Sequence, residues 1–124
     1  MDVRVGTSGF SYPEWKGSFY PKDLPASKML AYYAERFGTV EANNTFYRLP
    51  KPEMLTDWAA KVPESFRFVV KASQRITHHK RLKDCEDVTK YFLDTVQALG
   101  PKLGPLLFQL PPYLKKDLPR LSDF

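Results

Sequence analysis

Apolar residues recur along this chain at two spacings, and the alternation between them outlines the fold. A short run, Val3 to Gly6, reads as a first strand that ends in the turn GTSG. Met29, Leu30, Tyr33 and Phe37 then fall one helical turn apart, with Ser27 placed to cap the helix start and Gly38 to close its end. TVEAN predicts a second strand. Pro52 stands where a first helical position belongs, Leu55, Trp58, Ala59 and Val62 mark an inner face, and Pro63 stops that helix. FRFVVKA is a nearly pure run of strand formers. Asp84, with Asp87 three positions on, predicts the cap of a third helix carrying Val88, Tyr91, Phe92, Val96 and Leu99, which Gly100 and Pro101 end. PLLFQL predicts a fourth strand, stopped by Pro111 and Pro112.

Strands apolar on both faces and separated by helices imply a parallel sheet with crossover connections. The fold class expected is therefore α/β, built of (β/α) repeats. The last residues sharpen this. Asp117 is placed to cap a further helix, with Pro119 in its first turn and Leu118, Leu121 and Phe124 beginning a stripe. Each β/α unit takes roughly 31 residues, and eight units make roughly the 250 residues typical of a (β/α)8 barrel. The expectation is a single domain over residues 1–124, the N-terminal half of a TIM barrel with about four strands, truncated at its C-terminus. An open sheet of four or five strands is the alternative. Both architectures put function at the C-terminal ends of the strands.

Composition narrows the setting. Nothing in the sequence reaches the 18 apolar residues of a membrane span, so no membrane partner is expected. The N-terminus lacks a signal-peptide pattern, and the one cysteine, Cys85, has no intramolecular partner. These features predict a reducing, cytoplasmic location. The net charge of +5 is compatible with an anionic partner but is also common on solvated surfaces. Aromatic residues make up 15% of the chain, and many crowd GFSYPEWKGSFYP, which predicts either a lid over a core end or the wall of a site.

The strand ends collect the chemistry. Thr7 and Ser8 follow strand one, Glu41 and Asn43 end strand two, Lys71 ends strand three and Gln109 ends strand four. Glu41 and Asn43 share a parity, so both point to one face, and Lys71 shares that of Val69. A carboxylate and an ammonium on one face supply general acid and base groups, or equally an internal salt bridge. His78 follows strand three on the same side and is the third catalytic candidate. Thr7, Ser8, Tyr12, Trp15, Asn43, Tyr47, Arg48 and Gln109 are the candidate substrate-binding residues. GTSG lacks the Lys-Ser/Thr of a P-loop and no helix follows it directly, so it reads as a tight turn with the Thr7 and Ser8 hydroxyls facing inward. His78, His79 and Cys85 have no zinc-ligand spacing, and no metal site is expected. No pattern names a cofactor. The basic stretch RITHHKRLKD reads as a solvated loop or as a contact for phosphates.

Four stretches, GTSGFSYPEWKGSFYP, TVEANNTFYRLP, FRFVVKA with ITHHKRL, and LGPLLFQLPP, closely resemble the YecE-like family, a bacterial and archaeal domain of unknown function (domain of unknown function 72). The resemblance covers essentially the whole chain and implies a TIM barrel about twice its length. It implies motif positions at Gly6, Thr7, Ser8, Gly9, Tyr12, Trp15, Glu41, Asn43, Thr45, Phe46, Tyr47, Lys71, Thr77, His78 and Gln109, with no catalytic role attached to any. Two departures stand out: Phe10 replaces a frequent Trp, and ASQRITH lacks a proline often found after the lysine. The expected activity is that of an enzyme acting on a polar or phosphorylated small substrate. The alternatives are a nucleic-acid-binding or -processing barrel, and an inactive half-barrel that forms a homodimer through its open edges.

Overall fold

The computed structural model describes all residues, 1–124. Its elements run β1 (Gly6–Ser8), α1 (Met29–Ala34), β2 (Thr39–Ala42), α2 (Asn44–Tyr47), α3 (Pro52–Ala60), β3 (Arg67–Lys71), α4 (Glu86–Val96), β4 (Leu103–Leu107) and α5 (Leu118–Asp123). The four strands form one all-parallel sheet in the order β1-β2-β3-β4. Strand order that follows chain order, with no reversal, is the pattern of a barrel wall and not of a doubly wound sheet.

Burial alternates along the central strands. Val40 and Ala42 of β2 and Phe68 and Val70 of β3 are buried against the helices, while Thr39, Glu41, Arg67, Val69 and Lys71 face the other way and are half-buried. The helix side is the core. There Trp58 of α3 stacks on Phe68, with ring centroids 5.8 Å apart, and Phe66 meets Phe68 at 5.0 Å. Contacts of this offset and edge type add to the gain from area burial.

Both outer strands are displaced from their expected positions. β1 begins at Gly6, and Val3 and Val5 are each 68% exposed, because the partner strand starts only at Thr39 and leaves nothing for the earlier residues to pair with. β4 begins at Leu103, whose partner is Phe68, so Pro105 lies inside the strand and Gln109 lies beyond it. Pro105 is tolerated there because β4 is an edge strand.

Several caps also differ from expectation. Ser27 lies within a 3-10 turn, Ala26–Lys28, that leads into α1, and it caps nothing. Gly38 does not take the left-handed conformation of a helix-closing glycine; Arg36 and Phe37 instead both donate to the Tyr33 carbonyl. Cys85 occupies the cap position of α4, and no Asp84–Asp87 capping box forms, since Asp84 is itself left-handed (φ 48°). Asp117 does cap α5, accepting from the Arg120 amide at 3.0 Å. Pro52 opens α3 as expected.

The aromatic loop serves mainly the helix side. Phe10 packs edge-on against Trp58, and Phe19 lies among Tyr20, Tyr32, Tyr33 and Phe37. It is therefore a plug for the core end and not a lid over the strand ends. Tyr20 is buried and donates to the Phe10 carbonyl. Burial, with a smaller push from Tyr33, raises its phenol from the usual 10.0 to about 12. A folded-state value above the unfolded one means that the neutral phenol supports the fold below about pH 10, and that this support is lost as pH rises toward about 12. Stability followed by urea titration should fall across that window, and Tyr20→Phe should flatten the fall. An equally steep decline in the variant would assign it to another group.

Candidate functional site

The C-terminal ends of β1, β2 and β3 carry a connected group of polar side chains. Ser8, paired in register with Glu41, donates from Oγ to Glu41 Oε1 at 3.3 Å. Asn43 Nδ2 donates to the same Ser8 oxygen. The chain Asn43 to Ser8 to Glu41 thus ends on a carboxylate, with Asn43 Oδ1 buried and without a donor. Buried acceptors rarely stay unpaired, so this oxygen marks polar surface that lacks one partner. Two glycines permit the arrangement. At Gly6 β1 runs so close to β2 that a Cβ would stand 2.1 Å from the Thr39 carbonyl oxygen. Gly9 turns the chain at φ 81° beneath the Tyr12 hydroxyl, which donates to the Ser8 carbonyl at 2.6 Å.

Lys71, the last residue of β3, lies on the same face as Glu41, yet neither joins an ion pair. The salt bridge considered for them does not form. The Lys71 ammonium sits instead over the ring of Phe46, 4.7 Å from its centroid. His78 meets the same ring edge-on, with centroids 5.0 Å apart and planes at 83°. Phe46 reaches this place because the chain after β2 winds into α2 and does not simply turn. Thr45, fully buried, fixes that winding, its hydroxyl 3.0 Å from the Ala42 carbonyl and 2.7 Å from that of Lys71.

After β3 the basic stretch forms a π-helical turn, Arg75–His79, followed by left-handed Arg81, Leu82 and Asp84. Extra-wide turns and left-handed non-glycine residues cost conformational energy and concentrate at functional sites. Arg75, Lys80, Arg81 and Lys83 are exposed, and none joins an ion pair.

The other candidates fall outside this group. Thr7 is turned toward the helices: its amide donates to the Tyr33 hydroxyl at 2.8 Å and its own hydroxyl to the Gly9 carbonyl at 2.7 Å. Its hydroxyl therefore does not face inward as expected. Trp15 lies against Tyr12 at 4.6 Å but also packs on Phe19 and Tyr20, so only its outer part borders the rim. Tyr47, 74% exposed, and Arg48 project into solvent, with no polar partner for either side chain. Gln109 is exposed beyond β4. Phe46 is a motif position of the resemblance but was not among the candidate site residues, and no residue pattern marked it as the contact for Lys71 and His78.

A cavity of about 640 Å³ lies elsewhere, between α4 and α5, lined by Cys85, Thr89, Leu93, Asp117, Arg120 and Phe124 among others. No three His, Cys, Asp or Glu side chains gather to hold a metal ion, and no helix is long and apolar enough to cross a membrane.

Known proteins share this frame. The chain is 32% identical over 123 residues to the UPF0759 protein YecE of Escherichia coli (strain K12), covering 98% of this chain and 43% of that protein. It is 33% identical over 117 residues to the UPF0759 protein YunF of Bacillus subtilis (strain 168), covering 90% and 40% respectively. The chain therefore spans less than half the length of these curated relatives. A crystal structure of a DUF72 family protein from Thermotoga maritima superposes with a TM-score of 0.74 at 33% identity, covering 97% of this chain and 51% of that one. One from Enterococcus faecalis superposes with a TM-score of 0.76 at 25% identity, covering 96% and 43%. The DUF72 profile, described as a protein of unknown function, matches residues 4–124, and with these relatives it places the chain in the DUF72 family.

Proposed function

We propose that these four β/α units form the N-terminal half of a (β/α)8 barrel whose rim binds a small anionic substrate, such as a phosphorylated one, with Glu41 as its acid–base group. One observation carries this reading: Glu41 and Lys71 lie on neighbouring strands and the same face, yet they are not paired. A purely structural role for two half-buried charges of opposite sign on one face would be served by pairing them. Unpaired, the ammonium is left to meet an anion, and the carboxylate, held through Ser8 by Asn43, is left to move a proton. The unpaired cations of Arg75–Lys83 add positive potential beside the rim.

Inorganic phosphate is the probe. Titration calorimetry at low salt should detect binding. Lys71→Met should weaken it roughly tenfold or more, because a hydrogen bond to a charged group contributes about 1.5–3 kcal/mol and about 1.4 kcal/mol is a factor of ten. Glu41→Gln should preserve or strengthen it by removing a like charge. Both variants should melt near the parent temperature, as neither side chain takes part in an ion pair. Phosphate affinity indifferent to Lys71→Met would sink the proposal. Oligonucleotides binding with a steep salt dependence where phosphate does not bind would replace it with a nucleic-acid surface built on Arg75, Lys80, Arg81 and Lys83.

A further inference from the structure

The π-helical turn after β3 contains a pair of neighbours that fixes where one proton sits. Thr77 is fully buried (0% exposed), and its Oγ1 lies 2.8 Å from His78 Nδ1. That hydroxyl has no other hydrogen-bond partner. The Ser73 carbonyl, one turn back, accepts instead from the amides of Ile76 and Thr77, at 2.9 and 3.4 Å. A hydroxyl carries one proton, and when it is buried that proton needs an acceptor. Within reach of Thr77, the acceptor is His78 Nδ1.

We propose that Thr77 is a positioning residue: it donates to Nδ1 and so holds neutral His78 with its proton on Nε2. The partner of one ring nitrogen decides the state of the other. If Nδ1 carried the proton, two hydrogens would face each other, or the Thr77 hydroxyl would turn its proton into the apolar interior. A flip of the ring would put carbon against Thr77 and forfeit the bond. Phe46, edge-on to the imidazole at 5.0 Å, packs against one side of the ring and opposes such a flip.

The consequence for the rim is specific. Neutral His78 offers an N–H there and not a lone pair. It is a donor to an anionic or carbonyl oxygen, but not a base through Nε2 in this state. Lys71 stands over the same Phe46 ring, so a neutral donor and a cation flank one aromatic residue. This function for the N–H rests on the reading of the rim as an anion site, whereas the tautomer itself does not.

Proton–nitrogen correlation spectra of the imidazole rings, recorded on the unliganded 124-residue chain at alkaline pH where imidazoles are neutral, test the assignment. His79→Gln identifies the His78 signals. Nδ1 of His78 should resonate as an unprotonated, pyridine-like nitrogen and Nε2 as a protonated, pyrrole-like one. Thr77→Val keeps the shape and removes the donor, and should move both signals toward the averaged values of a mixed tautomer. Thr77→Ser should restore the parent spectrum. A parent spectrum with Nδ1 protonated, or a Thr77→Val spectrum identical to the parent, would overturn the proposal. Should Thr77→Val fail to fold, the parent and Thr77→Ser spectra still decide. Because no ligand is present, the outcome is independent of whether phosphate binds.

Discussion

Gly6→Ala should lower stability by about 3 kcal/mol, at the upper end of what overpacking usually costs. The added carbon would stand 2.1 Å from the Thr39 carbonyl oxygen, 2.8 Å from its carbon and 2.9 Å from Thr39 Cγ2. Two of these are backbone atoms, so no rotamer change relieves the overlap. The strand must move, and the pairs Gly6 with Thr39, Thr7 with Val40 and Ser8 with Glu41 move with it. In urea the midpoint should fall by about 1–2 M, taking a slope of about 2 kcal/mol per molar for a chain of this size. Gly100→Ala is the control. Its φ of 56° with ψ of −133° strains alanine, but nothing lies within 4 Å of the new carbon, so the cost should be that of backbone strain alone, about 1–3 kcal/mol. Equal losses in the two variants would mean that the contact with Thr39 costs no more than backbone strain alone. An unchanged midpoint for Gly6→Ala would mean that β1 is not seated on β2 as described.

Lys102→Met should cost about as much, for an electrostatic reason. The Lys102 side chain is buried beneath the end of α3, where Nζ donates to the Ala59 carbonyl at 2.6 Å and to the Val62 carbonyl at 2.8 Å. The last carbonyls of a helix have no partner within the helix, and they form the negative end of its dipole. An ammonium there satisfies the Ala59 carbonyl of the last turn and the Val62 carbonyl just past the helix end. Methionine fills similar space and supplies no donor, leaving two buried acceptors unpaired, each worth about 1–3 kcal/mol. A loss of about 3 kcal/mol by thermal or urea unfolding is expected. Glu64, 3.4 Å from the same nitrogen but 85% exposed, contributes far less. Glu64→Gln should cost at most about 1 kcal/mol, the range of exposed ion pairs. If Glu64→Gln proved as damaging as Lys102→Met, the ion pair and not the helix end would be the source of the effect.

The parts of the fold legible in the sequence are those set by local periodicity and by residues with one structural use. FRFVVKA reads as β3 because it is a nearly pure run of strand formers, and Arg67–Lys71 pair on both sides within the sheet. Pro52 and Asp117 mark helix starts because a missing amide proton and a capping carboxylate each suit that position. The outer strands were placed two to three residues off because their position comes from pairing. Thr39 decides where β1 begins, and Phe68 decides where β4 begins. Nothing within VRVG or PLLFQL carries that information. At the site, parity alone put Glu41 and Lys71 on one face. It could not show that they stay apart, because the separation depends on Phe46 occupying the space next to the ammonium. Thr7 was misassigned for the same kind of reason. Its neighbour Tyr33 is distant in sequence and draws it to the helix side. The π-helical turn has no periodic signature in a stretch this short.

The buried hydroxyl of Thr45 has a mechanical consequence. By touching the carbonyls that end β2 and β3, it rivets the short helix α2 to both strands at once. Phe46 is the next residue, so the ring beneath the Lys71 ammonium cannot swing away as an ordinary loop side chain would. The two strand tips, the helix and the ring behave as one stiff plate.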